Sequence, residues 1–299
     1  MSQTSRAEGR LPAPPMTASR RLSSFFATHR KLSLTALLAA PLAWLVLIYI
    51  VSLLLLLVTA FWSTDSFTGQ VVQDWTLGNF TAVFTEALYR AVTVRTLIIA
   101  VSVTIIDVVI ALPVGYFMSK VAGPRLRGAL VVAFLMPLWA AYLVKAYAWR
   151  TIVSPHGLLD SLGISPGLGL IATIITMSYI WLPYVVMPVY TGFERIPDNL
   201  IEAAGDLGAK GWNTFTAVIV PLVWPSVIAG SIFSFSLTLG DYIAVQIVGG
   251  SQQLLGTLIY ANVGTGGNMP LAAATAFIPI VVIVIYLTAV RRTGALKNL

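Results

Sequence analysis

The chain has 299 residues, 58% of them hydrophobic and only 10% charged, with a mean hydropathy of +0.87. A soluble domain carries about 25% charged residues, so lipid is the expected solvent for much of this chain. With no cysteine, disulfides, thiolate nucleophiles and cysteine metal sites are excluded, and the formal charge of +7 forms no basic face for nucleic acid.

Residues 1–33 are polar, rich in Pro, Ser and Ala, and basic (Arg6, Arg10, Arg20, Arg21, Arg30, Lys31), which predicts a cytoplasmic tail. Within it, Arg20–Lys31 could form an interfacial helix with Leu22, Phe25 and Phe26 toward lipid, or stay unstructured. About 30 polar and basic residues precede the first apolar run, which is longer than the roughly 7–15 residues of a signal-peptide core, so no cleavable leader is expected. The first span, 34–61, carries no charge and exceeds the roughly 20 residues needed to cross a bilayer. Residues 62–92 follow as an external segment with Asp65, Asp74, Glu86 and Arg90.

The second span, 96–118, holds Asp107 and Pro113, and Lys120, Arg125 and Arg127 mark its cytoplasmic end. The third, 128–149, holds Pro137 and Lys145, and a turn-rich outer loop covers 150–168. A fourth span, 170–190, contains Pro183 and Pro188; the fifth, 221–248, and the sixth, 271–290, follow a mixed-charge cytoplasmic segment at 191–220. The tail 291–299 returns to the cytoplasm with Arg291, Arg292 and Lys297. All Lys and Arg except Arg90, Arg95, Lys145 and Arg150 then lie inside, as the positive-inside bias requires. The expected fold is an all-α integral membrane protein, with six transmembrane helices over 34–290 and both termini cytoplasmic.

Enzyme chemistry finds little support. No G-x-x-x-x-G-K-[ST] is present to cradle ATP phosphates. The two histidines, His29 and His156, fall on opposite sides of the membrane, so no histidine metal site is expected.

The sharpest local signal is Asn199–Gly208. Leu200, Ala204 and Leu207, flanked by Ile201 and Ala203, place apolar groups on one side of a short cytoplasmic helix. Asn199 and Glu202 have capping-box spacing, whereas Pro197 suits a first helical residue; the two starts conflict and both stay open. Gly208 and Gly211 allow a sharp return. Such a helix, at about 197–210, fits a groove on another protein or lies on the membrane surface.

Here the chain resembles the permease subunits of binding-protein-dependent ABC importers. Their hallmark reads Glu202-Ala203-Ala204, Gly208, Ile219 and Pro221 in this sequence. Lys145-Ala146-Tyr147-Ala148-Trp149 with Gly157-Leu158-Leu159, and Leu239-Gly240-Asp241-Tyr242 with Gly249-Gly250, resemble segments of the spermidine/putrescine subgroup. Lys145 stands where that subgroup usually has Arg, and Asp160 where it has Asn. The resemblance implies a type I importer-like bundle in a bacterial inner membrane. It further implies a second, non-identical permease, two ATPase subunits that hold ATP and Mg, and an extracytoplasmic solute-binding protein. Glu202, Ala203, Ala204, Gly208 and Pro221 would couple the chain to an ATPase, and the chain itself would carry no cofactor and no metal.

For the solute path, Ser231, Ser234, Thr238 and Asp241 recur at spacings of three, four and three, along one stripe of the fifth span. Asp107 adds a second intramembrane carboxylate. Two acids suit an amine cation, with Trp139, Tyr142, Trp181 and Tyr184 as cation–π faces. The alternatives are structural: Asp241 caps a helix or pairs with Lys145 or Arg150, and Asp107 ties the bundle together. Polyamine, ferric iron, opine-like and other small solutes stay open, as do an ion-coupled transporter and a membrane scaffold.

Overall fold

The computed structural model describes residues 30–65 and 67–292. The interfacial helix expected at Arg20–Lys31 and the closing tail lie almost wholly outside the described residues. The chain divides into two units, ending at Leu56 and beginning at Leu57. The first contains α1 (Arg30–Leu45), a π-turn (Val46–Ile50) and the start of α2 (Val51–Thr59). Its Leu37–Thr59 stretch is long and apolar enough to cross a membrane.

The second unit opens with a small hairpin, β1 (Ser63–Thr64) antiparallel to β2 (Val71–Val72), the one strand pair among the described residues. Asp65 makes its turn: Oδ1 accepts the N–H groups of Phe67 and Thr68, both at 2.8 Å. Helix α3 (Gly78–Thr85) follows, and Asn79 Nδ2 donates to the carbonyls of Ala60 and Trp62, satisfying the end of the preceding helix.

Helix α4 (Ala87–Tyr116) runs into a π-turn, Phe117–Val121. Thr96 and Thr104 donate their hydroxyls back to the carbonyls of Val92 and Ala100 on the same helix, so neither donor is left unmet in the apolar surroundings. Next come α5 (Pro124–Trp139), α6 (Tyr142–Val153), α7 (Leu158–Ser161) and α8 (Leu170–Glu194). Then come α9 (Asp198–Asp206), α10 (Gly211–Thr214), a π-turn (Phe215–Ile219) and α11 (Val220–Gly240). The chain closes with α12 (Ile243–Val248), α13 (Leu255–Val263) and α14 (Met269–Arg292).

Among the described residues, five helical stretches are long and apolar enough to span, and a sixth if α5 and the segment Tyr142–Ser161 count as one. That pair corrects the bounds of the third span, expected at 128–149, and shows it bent: the axis turns by 98° at Ala140 and Ala141. Pro137 removes an amide from the last turn of α5, and both alanines are extended, so the helix restarts in a new direction. The fifth span is corrected as well, since its helix begins before Pro221 and ends at Gly240, with α12 separate.

The core lies among α4, α8 and α11. Ala111 and Met118, Val185, Val189 and Phe193, and Ile219, Val223 and Val227 form one buried cluster. Lipid offers no hydrophobic drive between helices, so small residues and close packing carry this contact. A Cβ at Gly230 would stand 2.9 Å from Val185 Cα, and one at Gly115 would stand 2.9 Å from Val189 Cγ1.

Candidate functional site

The break after α11 builds the first part of the site. Asp241 is extended (φ −73°, ψ 127°), only 8% exposed, and its Oδ1 accepts the N–H of Ala244 at 3.0 Å, which caps α12. Oδ2 accepts the hydroxyl of Tyr142. Tyr142 is the first residue of α6, so the bend between α5 and α6 is what delivers its ring to α11. Neither Lys145 nor Arg150 forms an ion pair among the described residues, so the carboxylate is not neutralised by the cations expected beside it.

Aromatic rings extend from this carboxylate. Tyr142 and Trp181 have centroids 5.8 Å apart, Trp181 and Tyr184 6.0 Å, and Tyr184 and Phe233 6.3 Å. Trp181 and Tyr184 are one turn apart on α8, so both rings face the same way. A cavity of about 310 Å³ opens here, lined among others by Tyr142, Trp181, Ser236, Gly240, Asp241 and Tyr242. A carboxylate among π faces in a membrane bundle is an environment for a cation.

The other path candidates divide. Asp107 is fully buried on α4, and Ser234 Oγ donates to its Oδ2 at 2.6 Å. Its Oδ1 and the hydroxyls of Ser178 and Thr238 are buried without a hydrogen-bond partner, but none of these residues lines the cavity. Ser231 turns to the last helix, sharing a 2.8 Å hydrogen bond with the Tyr286 hydroxyl. The stripe of Ser231, Ser234, Thr238 and Asp241 is therefore all buried, yet only Asp241 reaches the cavity. Trp139 stands apart at the end of α5, 87% exposed. The sequence reading missed Phe233 and Ser178: a lone Phe or Ser in an apolar span gives no periodic signal.

At the other part of the site, α9 confirms a short helix but neither proposed start. Pro197 is the N-cap residue with extended ψ of 138°, and no side chain caps the helix. Ile201 and Ala204 face the core, while Glu202, Ala203 and Leu207 are exposed, so Leu207 leaves the apolar stripe expected of it. Gly208 has φ +81°, its N–H reaches Gly205 O at 2.8 Å, and Ala209 N–H reaches Ala204 O at 3.0 Å. These paired bonds form a Schellman motif, whose left-handed position favours glycine. Pro221 follows the π-turn Phe215–Ile219, whose wider winding makes room for its ring.

No group of three His, Asp or Glu among the described residues could hold a metal ion.

Residues 100–293 match the family described as binding-protein-dependent transport system inner membrane component. The chain is 38% identical over 309 residues to the inner membrane ABC transporter permease protein YdcU of Escherichia coli K12, covering 97% of this chain and 98% of that one. It is 30% identical over 267 residues to the spermidine/putrescine transport system permease protein PotB of the same organism, covering 85% and 95%. Among solved structures, a bacterial alginate ABC transporter in complex with an alginate pentasaccharide-bound periplasmic protein has a TM-score of 0.67 at 17% identity, covering 92% and 97%. The MetNI methionine ABC transporter, inward facing, gives 0.55 at 19% identity, covering 70% and 97%.

Proposed function

We infer what this chain carries from the family it belongs to: it is an inner membrane component of a binding-protein-dependent transport system, the permease subunit of an ABC importer. Its solute is a polyamine of the spermidine/putrescine type or a similar small cation, handed over by an external binding protein. The observation that carries this reading is the buried Asp241 carboxylate in a cavity walled by Tyr142 and Trp181. An amine leaving water would exchange hydration for a charge-assisted hydrogen bond and for ring faces worth about 2 kcal/mol each when desolvated. An anion would meet the same carboxylate as repulsion. The permease relatives named for spermidine/putrescine transport point the same way.

In this reading both termini face the cytoplasm, with Lys120, Arg125 and Arg127 at the inner ends of the spans. The exposed Glu202 and Ala203 of α9 present the chain to a cytoplasmic ATPase, and Gly208 closes that helix. Two ATPase subunits, with ATP and Mg, supply the energy, and a second, non-identical permease completes the path. This chain purified alone should hydrolyse no ATP.

The test is uptake by the complete complex in proteoliposomes. Labelled putrescine or spermidine should enter only with ATP and the binding protein present, and an anionic solute should not compete. ATP-driven uptake of some other solute with no entry of either amine would overturn the reading.

A further inference from the structure

The structure assigns a positioning role to Lys120, a residue in the π-turn that follows α4. This rests on the reading of α9 as the ATPase-facing helix. The Lys120 side chain is only 12% exposed. Its Nζ donates to the carbonyl of Ile196 at 2.6 Å and to Oδ1 of Asp198 at 2.6 Å. One ammonium thus reaches from the end of α4 to the chain leaving α8 and to the first residue of α9. Among the described residues it is the one ion pair that α9 makes.

Its base is held firmly. Arg127 Nε donates to Met118 O at 3.1 Å and Nη2 to Ser119 O at 2.7 Å, satisfying carbonyls of the same π-turn. Arg127 Nη1 also lies 3.6 Å from Glu194 Oε1, which accepts the Tyr190 hydroxyl. The π-turn is therefore tied to α8 on one side while Lys120 reaches α9 on the other. The remaining anchors of α9 are apolar, Ile201 and Ala204. Apolar contacts slide more easily than a doubly bonded ammonium. Lys120 is the strut through which a displacement of α9 enters α4, the helix that carries Asp107 and packs on α8 and α11.

The experiment uses the complete complex in proteoliposomes and reads solute imported per ATP hydrolysed. Lys120→Gln should lower that ratio about tenfold, the factor that loss of one charge-assisted hydrogen bond represents. Lys120→Arg, which keeps the charge and the donors, should restore it. Asp198→Asn, at a side chain 77% exposed, should reproduce the loss and decides the matter if Lys120→Gln fails to assemble. Because the chain has no cysteine, spin labels on Val121→Cys and Leu207→Cys report the distance from the π-turn to α9. Lys120→Gln should broaden that distribution and Lys120→Arg should not. An unchanged ratio in both Lys120→Gln and Asp198→Asn, or no recovery with Lys120→Arg, would overturn the role. If Leu207→Cys never crosslinks to an ATPase in a working complex, the coupling reading of α9 fails instead, and the label distances still judge the strut.

Discussion

Asp241→Asn separates the two jobs that Asp241 can do. Asn ranks with Asp as a helix cap, so its Oδ1 can keep the 3.0 Å hydrogen bond from Ala244 N–H. Its Nδ2 can donate to the Tyr142 oxygen, which turns from donor to acceptor. Packing and capping survive, and what disappears is the charge. A hydrogen bond to a charged group contributes about 1.5–3 kcal/mol, so amine transport efficiency should fall about 10- to 150-fold. The assay is the concentration dependence of labelled putrescine uptake by the complete complex, with Tm and membrane abundance measured in parallel. Asp241→Ala serves as the control, since it also removes the cap at a cost of about 1 kcal/mol and should lower the Tm. Unaltered uptake kinetics in Asp241→Asn would refute the cationic site and leave Asp241 a helix cap.

Gly208→Val places a β-branched residue at φ +81°, costing roughly 1–2 kcal/mol in the Schellman turn that ends α9; ATP hydrolysis should continue while uptake per ATP drops. Asp107→Asn should transport almost normally, because it can keep the hydrogen bond from Ser234. Asp107→Leu should lower the Tm by leaving that buried hydroxyl unpaired, at about 1–3 kcal/mol. Gly230→Val drives a side chain against Val185 backbone 2.9 Å away and should cost about 1–3 kcal/mol in a thermal melt of the purified chain. At the hairpin, N–H groups of Thr68 and then Phe67 hold the Asp65 carboxyl below its ordinary range. That contribution is present at neutral pH and vanishes as pH falls through the lowered value, where proteolysis of wild type and Asp65→Ala should converge. Convergence already at or above the ordinary carboxylate value of about 3.9 would refute it.

The helical membrane fold was readable because apolar runs of spanning length are a one-dimensional property. The third span shows the limit. Residues 128–149 read as one apolar stretch with an internal proline, yet the chain turns by 98° at Ala140 and Ala141. Proline in a membrane helix kinks or breaks it depending on which neighbours take up the freed carbonyls, and those neighbours lie elsewhere in the sequence. Because Tyr142 starts the new helix, that bend also decides which aromatics meet Asp241. Trp139, three residues earlier, is left outside. The polar stripe of α11 was legible by its spacing, but its division between Tyr286, Asp107 and Tyr142 depends on three different packing partners.

By itself, the sequence determined that the chain lives in lipid and that a short helix ends at Gly208. Those features depend on composition and local stereochemistry, which each segment carries alone. Only the tertiary structure decided that Asp241 opens to a cavity while Asp107 is sealed, and that Lys120 reaches a carboxylate 78 positions away. Such pairings follow from which helices pack together, and in lipid that is settled by the fit of small residues and buried polar groups across the whole bundle.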